Sequence, residues 1–167
     1  MAEEQQASEI EPGAFRHVLG HFPTGVTVVT GIKDGRPAGL AIGSFFSVSL
    51  DPPLVGFCVG KNSGSWGPID ESGAFCVNIM TEKQGQLTGM MASKAEDKFA
   101  DVDWTPAGTG SPRLPGCIGF IDCTIESRLD GGDHLIIIGR VQGLDVESED
   151  GPLLFFKGGY GGFAGAS

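Results

Sequence analysis

One segment near the end of the chain alternates between apolar and polar residues, and this pattern constrains the fold more than any other. Residues 121–126 read IDCTIE. A period of two is typical of a β-strand with one face buried and one face in water. The polar positions, which we expect to face water, are Asp122, Thr124 and Glu126. The turn sequence DGGDH then leads into a second apolar run, LIIIGRVQGLDV, so the two runs predict a long antiparallel hairpin.

Similar strand signals recur along the rest of the chain. Residues 26–32 are β-branched apart from glycine, and the Asp-Gly pair in KDGR predicts a tight hairpin turn. The runs PLVGFCV, AFCVNIM and GPLLFF predict three further strands. About seven strands with three or four short helices favour a mainly β fold, a small antiparallel β-barrel in a single domain.

The first helix is expected over residues 9–22, ending before Pro23. Ser8 and Glu11 have the spacing of a capping box at its start. The helical spacing places four apolar residues on one face: Phe15, Val18, Leu19 and Phe22.

Three more short helices are expected in the middle of the chain. One carries Trp66 and Ile69 and is closed by Gly73. Capping-box spacings at Thr81 with Gln84 and at Ser93 with Glu96 predict the other two. The first of these has an apolar stripe of Leu87, Met90 and Met91, and the second is anchored by Phe99.

Charge and composition exclude several classes of function. The net charge is -10 and no Lys/Arg run occurs, which weighs against nucleic-acid binding. No apolar run reaches the roughly 18 residues of a membrane span, and the N-terminus is acidic where a signal peptide would be basic. We therefore expect a cytoplasmic protein. The four cysteines form no C-x-x-C pair, and His17 with His21 alone does not make a metal site, so buried thiols and no metal are expected.

Three segments could bind a ligand, and for each the residues alone allow both a binding role and a structural one. Lys61, Ser63 and Ser65 in GKNSGSW suit a phosphate, or the serines simply cap a short helix. The serines of SFFSVS suit hydrogen bonds to a polar ligand or the solvation of an edge strand. His134 begins a strand after a glycine turn, where it could point into a barrel mouth or into solvent.

Eight segments, in order, resemble one family. They read FPTGVTVVT, GSFFSVSLDPPLV, KNSGSW, SGAFCVN, DKFADVDW, GSPRL, GGDHLIIIGRV and PLLFFKGGY. They are similar to the flavin reductase components of two-component flavin-dependent monooxygenases. The resemblance implies an antiparallel FMN-binding split β-barrel of Greek-key type that forms a homodimer. It implies a flexible N-terminus over 1–12, the domain over 13–160 and a flexible tail over 161–167.

The same resemblance implies the reaction. It is the reduction of free FMN or FAD by NADH or NADPH, after which reduced flavin is released to a separate monooxygenase. The flavin performs the redox chemistry, and the protein holds nicotinamide C4 against flavin N5. Two alternatives stay open: a split-barrel oxidase that retains FMN, and a flavin carrier without catalysis.

The resemblance also implies site residues. Two segments would line the flavin: Thr24, Gly25, Val26, Thr27, and Ala41, Ile42, Gly43, Ser44, Phe45, Ser47, Val48. Further flavin contacts would be Lys61, Ser63, Trp66, Lys98, Phe99 and Tyr160, the pair 98 and 99 approaching from a short helix. His134 would face the nicotinamide as the catalytic residue. Many members have Thr-Ala-Asn or Thr-Ala-Ser at 41–43 and a small polar residue at 46, so this chain lacks side-chain hydrogen bonds there, which predicts altered flavin affinity and choice.

Overall fold

A computed structural model describes residues 9–165 and shows a mainly β protein. Within that range the helices are α1 (Pro12–Leu19), α2 (Trp66–Ser72) and α3 (Gly85–Ala92), with a 3-10 turn at Glu82–Gln84. The strands are β1 (Thr24–Gly25), β2 (Thr27–Lys33), β3 (Arg36–Ile42), β4 (Phe46–Ser49), β5 (Leu54–Gly60), β6 (Ala74–Ile79), β7 (Thr105–Pro106), β8 (Pro112–Arg113), β9 (Gly119–Gly131), β10 (His134–Val146), β11 (Leu154–Phe156) and β12 (Gly159–Gly161). The mainly β prediction is confirmed.

Seven strands form one antiparallel sheet in the order β3-β2-β6-β9-β10-β5-β4. Leu40 of β3 and Phe57 of β5 stand far apart in this order, yet both belong to one buried cluster. The sheet must therefore curve around its own apolar face, as a barrel does. Phe57 also contacts Phe75 and Trp66 edge to face, with ring centroids 5.2 and 5.5 Å apart.

Both predicted hairpins are confirmed. The β2–β3 turn has Asp34 and Gly35 at φ values of 51° and 74°, the left-handed conformation that an Asp-Gly turn supplies. The β9–β10 hairpin joins two 13-residue strands, and His134 pairs with Gly131 across its turn. The long hairpin places His134 at one end of the barrel, beside the last residue of β5, Gly60.

A second apolar cluster lies beside the barrel, under α3 and the small sheet formed by β1, β11 and β12. It contains Val26, Met80, Met91, Phe99 and Leu153, all buried. The last strand, β12, lies at the edge of this small sheet.

The polar face of β9 differs from the prediction, because Asp122 is buried with only 1% of its surface exposed. The β7–β8 hairpin folds over this part of β9. Its Thr109 donates to the Asp122 carboxylate from the backbone N–H (2.8 Å) and from the hydroxyl (2.6 Å). The alternation correctly predicts the strand, but a loop covers one position that we expected in water.

The helices differ from the predictions at their ends. α1 starts after Glu11, whose side chain makes no capping hydrogen bond, and it ends before Gly20. The predicted capping box cannot be compared, because Ser8 lies outside the described residues. The helix predicted after Ser93 is wrong. Ser93 instead ends α3, with its hydroxyl donating to Met90 O at 2.7 Å, and residues 94–99 are irregular. Met90 is exposed, so the predicted apolar stripe is only partly buried.

The remaining helix predictions are confirmed. Trp66 and Ile69 are buried on α2, which Gly73 closes in the left-handed conformation. Thr81 and Gln84 form the capping box of the 3-10 turn that precedes α3. In the described range, 9–165, no helix is both long and apolar enough to cross a membrane.

All four cysteines are free thiols, and three of them are buried. Burial, with a further contribution from the Asp122 carboxylate, raises the pKa of Cys123 to about 12 and that of Cys76 well above its ordinary value. Burial raises the pKa of Cys117 to about 11. These three thiols therefore stay protonated at neutral pH.

Candidate functional site

The end of β3 separates two cavities. Ala41 lines a cavity of about 1220 Å³, and Gly43, two residues later, lines another of about 520 Å³. Ile42, the residue between Ala41 and Gly43, packs into the barrel core, with 7% of its surface exposed. Residues 41–43 thus form a short boundary between the two cavities.

The smaller cavity has mostly aromatic and aliphatic walls, and we call it the aromatic cavity. Its aromatic residues are Phe22, Phe45 and Phe46, and its hydroxyls come from Thr24 and Ser44, with Thr27 behind them. A Cβ added at Gly43 would lie 3.1 Å from the Thr24 hydroxyl oxygen. Glycine at position 43 therefore leaves the space beside the Thr24 hydroxyl free. A flat ring with a few polar atoms on its edge suits such a cavity.

The loop that carries Ser44 is held against β5 by hydrogen bonds. The Ser44 hydroxyl donates to Cys58 O (3.1 Å) and accepts from Cys58 N (2.8 Å), as a strand partner would. At the start of β4, Phe46 packs over Gly56, where an added Cβ would lie 2.6 Å from the phenyl ring. The wall of the aromatic cavity is thus fixed before any ligand binds.

The larger cavity has an excess of positive charge, and we call it the cationic cavity. Its charged residues are Lys33, Arg36, Lys94 and Lys98, against Asp34 and Glu96. Asn62, Ser63 and Ser65 add polar groups from the loop before α2. The chain has only 11 Lys and Arg residues against 21 Asp and Glu, so a concentration of four cations here favours an anionic ligand.

Lys98 ties three parts of this cavity together. Its ammonium group donates to Met91 O (2.7 Å), Ser65 Oγ (3.0 Å) and Gly39 O (3.2 Å), which uses all three of its N–H bonds. Burial lowers the pKa of this amine. Because Ser65 Oγ accepts from Lys98, its own O–H remains to donate into the cavity. Lys98 therefore contributes positive charge to the cavity wall, and its hydrogen bond orients the Ser65 hydroxyl.

Two of the predicted flavin contacts, Trp66 and Lys61, line neither cavity. Trp66 belongs to the barrel core, is 4% exposed and has a buried Nε1 without a hydrogen-bond partner among the described residues. Lys61 is exposed and forms an ion pair with Asp130, which lowers the pKa of that carboxyl group. Trp66 supports the cavity loop from below, and Lys61 joins β5 to the β9–β10 hairpin.

His134 stands half-exposed at the tip of the β9–β10 hairpin. Its Nδ1 lies 2.7 Å from the Asp133 carboxylate, and this contact lowers the pKa of Asp133. A Cβ added at Gly60 would be 4.0 Å from Nε2, so the second ring nitrogen faces the end of β5. An imidazole held by a carboxylate on one nitrogen presents the other to a ligand in a defined orientation.

The structure divides the predicted site residues into three groups. The aromatic cavity is lined by Thr24, Gly25, Val26, Thr27, Gly43, Ser44 and Phe45. The cationic cavity is lined by Ala41, Ser63, Lys98 and Phe99. Lying elsewhere are Ile42 in the core, Trp66 below the cavity, Lys61 and His134 near the hairpin tip, Ser47 and Val48 on the edge strand β4, and Tyr160 on β12 against Phe155.

Sequence reasoning missed Arg36, Lys94 and Phe22 as lining residues. Arg36 was part of the KDGR segment, which predicted only a turn, although two cations flank that turn. The helical spacing predicts Phe22 on a helix face, but α1 ends before it and Phe22 lines the aromatic cavity. Lys98 and Phe99 reach the cationic cavity from irregular chain, since the helix expected there does not form.

The chain is similar in sequence and structure to known flavin reductases. The chain is 48% identical over 165 residues to a flavin reductase of Pseudomonas putida, covering 98% of this chain and 97% of that protein. It is 50% identical over 156 residues to the reductase subunit HsaB of a flavin-dependent monooxygenase from Rhodococcus jostii (strain RHA1), covering 93% and 80%.

Among solved structures, one neighbour is the NADH:FAD oxidoreductase SgcE6 of Streptomyces globisporus C-1027, in complex with NAD and FAD fragments. The TM-score is 0.86 at 34% identity, and the match covers 95% of this chain and 98% of that chain. Residues 19–164 match the family described as "Flavin reductase like domain", and these residues include both cavities. The chain belongs to the flavin reductase-like domain family.

Proposed function

We propose that this protein is an NAD(P)H-dependent flavin reductase that reduces free FMN or FAD and supplies reduced flavin to a separate monooxygenase. The observation that carries the proposal is the position of residues 41–43, which separate an aromatic cavity from a cationic one. A flavin has the same two parts, a flat ring system and a phosphorylated chain. Membership of the flavin reductase-like family supports the same reaction.

The described residues fit such a ligand. The free space at Gly43 and the hydroxyl of Thr24 suit the ring and its polar edge, and Ser63 and Ser65 suit a phosphate. When bound, the flavin accepts at N5 the hydride that nicotinamide C4 donates. The protein aligns the two molecules, because the rate of hydride transfer depends steeply on how nicotinamide C4 is placed against flavin N5. We assign that alignment to His134, whose Nε2 can reach the carboxamide or a phosphate of the nicotinamide nucleotide.

The direct test mixes purified protein with NADH, with and without added FMN or FAD, and follows the loss of NADH absorbance. We expect turnover only when free flavin is supplied. Turnover without added flavin, or none with either flavin, contradicts the proposal. A yellow protein after gel filtration indicates an oxidase with retained FMN, and flavin binding without NADH oxidation indicates a carrier.

We also propose that the enzyme works as a homodimer with each flavin site near the interface. α1 has no buried residue, and Phe15, Val18 and Leu19 are 56%, 65% and 50% exposed. A helix with such a face normally packs against another apolar surface. Phe22, just beyond this helix, lines the aromatic cavity, so a second copy seated on α1 would lie beside the site.

The proposed compartment is the cytoplasm. Four free thiols, three of them buried, suit a reducing environment. The same compartment contains the nicotinamide nucleotide that the reaction consumes.

A further inference from the structure

The two histidines at the end of α1 lie together and take no part in the proposed reaction. His17 is in the last turn of the helix, His21 follows it, and both side chains are exposed. Their ring centroids are 4.9 Å apart. Residues four apart lie on the same side of a helical turn, and paired histidine ligands of helical zinc sites have this spacing. The spacing alone predicts no metal site, but the positions of the two rings add evidence for one.

The ring of His21 is held by a hydrogen bond to the backbone. Its Nδ1 lies 2.7 Å from the carbonyl oxygen of His17. A carbonyl oxygen can only accept, so Nδ1 carries the hydrogen and Nε2 has the free lone pair. The imidazole takes the place of a backbone donor here, because the N–H of His21 donates to Val18 O at 3.0 Å. Histidines that bind metals are commonly oriented in this way, with the other ring nitrogen donating to a carbonyl.

The separation of the two rings suits one ion between them. A zinc-type ion binds imidazole nitrogen at about 2.0–2.1 Å, which places the ion about 3.2 Å from each ring centroid. Two centroids 4.9 Å apart then subtend about 100° at the ion. This angle lies between the values of about 90° and about 109° that square-planar and tetrahedral sites require. The Phe156 ring packs edge to face against His21, with centroids 6.4 Å apart, and supports it.

The charge around the pair also favours a cation. The carbonyl end of α1 lies here, and the end of a helix that exposes carbonyl groups carries a partial negative charge. Lys157 is the nearby positive group, and its ammonium lies over the Phe156 ring, 5.2 Å from the centroid. The whole chain has a net charge of -10, which attracts cations in general.

We infer that His17 and His21 bind one divalent transition-metal ion of the zinc, nickel and copper class, with water at its remaining positions. Within residues 9–165 no three His, Cys, Asp or Glu side chains are grouped to hold a metal, so this is a two-ligand surface site. Imidazole suits these ions, whereas Mg²⁺ and Ca²⁺ prefer oxygen ligands. The ion joins the last turn of α1 to the chain that continues into Phe22 and the aromatic cavity.

The test titrates Ni²⁺ into protein purified without a histidine tag, by calorimetry in a buffer that does not bind metals. We expect one ion per chain. His17→Asn and His21→Asn should each lower the Ni²⁺ affinity by about 100-fold, because a chelate becomes a single imidazole. Mg²⁺ should not bind. Electron paramagnetic resonance with one equivalent of Cu²⁺ should show coupling to two imidazole nitrogens in the wild type and to one in each variant.

His134→Asn is the matched control, because His134 is the only other histidine of the chain and also has a carboxylate beside it, that of Asp133. It should leave the Ni²⁺ affinity unchanged. The replaced side chains are exposed, so without metal all three variants should melt close to the wild-type temperature. Saturating Ni²⁺ should raise the melting temperature of the wild type and of His134→Asn, and leave that of His17→Asn and His21→Asn unchanged.

Equal Ni²⁺ affinity in the wild type, His17→Asn and His21→Asn would overturn the inference. A loss confined to His134→Asn would do the same, because it would place the ion at the β9–β10 hairpin. A loss in only one of the two α1 variants would show binding to a single imidazole and would also contradict the two-ligand site. The inference is independent of the proposed function, since these measurements contain neither flavin nor NADH.

Discussion

His134 has the geometry of a residue that orients a ligand. The Asp133 carboxylate, 2.7 Å from Nδ1, fixes the ring, and the backbone N–H of Lys61 donates to Asp133 O at 3.0 Å and fixes the turn. Nε2 is then the nitrogen that faces the end of β5 and the loop that continues into the cationic cavity. The ring is half-exposed, and we propose that its orientation serves a bound nicotinamide nucleotide.

Replacing His134 by Ala or Asn should raise the KM for NADH. We expect a loss on the order of tenfold in kcat/KM, because one hydrogen bond that aligns the nicotinamide is removed. Flavin affinity and the melting temperature should change little, since one exposed turn side chain contributes little to stability. Steady-state kinetics with NADH varied at saturating flavin measures this. An unchanged kcat/KM would make His134 a solvated turn residue, and a large fall in melting temperature would give it a structural role.

The contacts of Lys98 show that a sequence motif can predict the position of a residue without predicting its hydrogen bonds. The resemblance predicts that Lys98 contacts the flavin, and Lys98 lines the cationic cavity. What sequence cannot display is that Met91 O, Ser65 Oγ and Gly39 O, from three distant parts of the chain, accept all three of its N–H bonds. We therefore propose that Ser65, rather than Lys98, donates a hydrogen bond to the bound phosphate.

The long β9–β10 hairpin carries an ion pair on its outer face that makes stability depend on pH. Arg140 donates to both carboxylate oxygens of Glu126, at 2.8 and 2.6 Å, and this lowers the pKa of Glu126 below its ordinary value of 4.5. As pH falls, the unfolded chain takes up this proton first. The stabilisation is therefore complete above about pH 5 and is lost as pH falls below 4.5 towards the lowered pKa.

Glu126→Gln removes that dependence. Wild-type protein should be more stable than this variant at neutral pH, and the difference should shrink as pH falls through the window just given. Urea unfolding at a series of pH values measures both. Glu149→Gln is the control, since Glu149 is exposed and forms no ion pair with the described residues. A constant difference between wild type and Glu126→Gln across the series would contradict the prediction.

Strands and hairpins could be predicted because their signals are local. A period of two and an Asp-Gly turn require no knowledge of what packs above them. Asp122 was misplaced because the group that buries it, Thr109, comes from a separate hairpin 13 residues away. The helix expected at Ser93 fails for a similar reason. Lys98 holds that segment against β3 and the loop before α2, and these tertiary contacts outweigh a capping pattern.

The proposed dimer is tested by one substitution on α1. Val18→Glu places a charge on a face whose apolar residues are 50% exposed or more. Wild-type protein should scatter light with twice the chain mass of 17.4 kDa, and the variant should approach the mass of one chain, because a buried unpaired charge strongly destabilises an interface.

Met90→Glu provides the comparison, since Met90 is an exposed apolar residue on a different helix, α3. It should leave the mass unchanged. A wild-type mass of 17.4 kDa at micromolar concentration would contradict the proposal of a dimer.

The buried thiols have a consequence for the working life of the enzyme. A flavin reductase releases reduced flavin, which dioxygen oxidises with formation of hydrogen peroxide. Peroxide attacks thiolates rather than thiols. Since burial keeps Cys76, Cys117 and Cys123 protonated and away from solvent, the protein interior withstands the oxidant that the enzyme's own product generates.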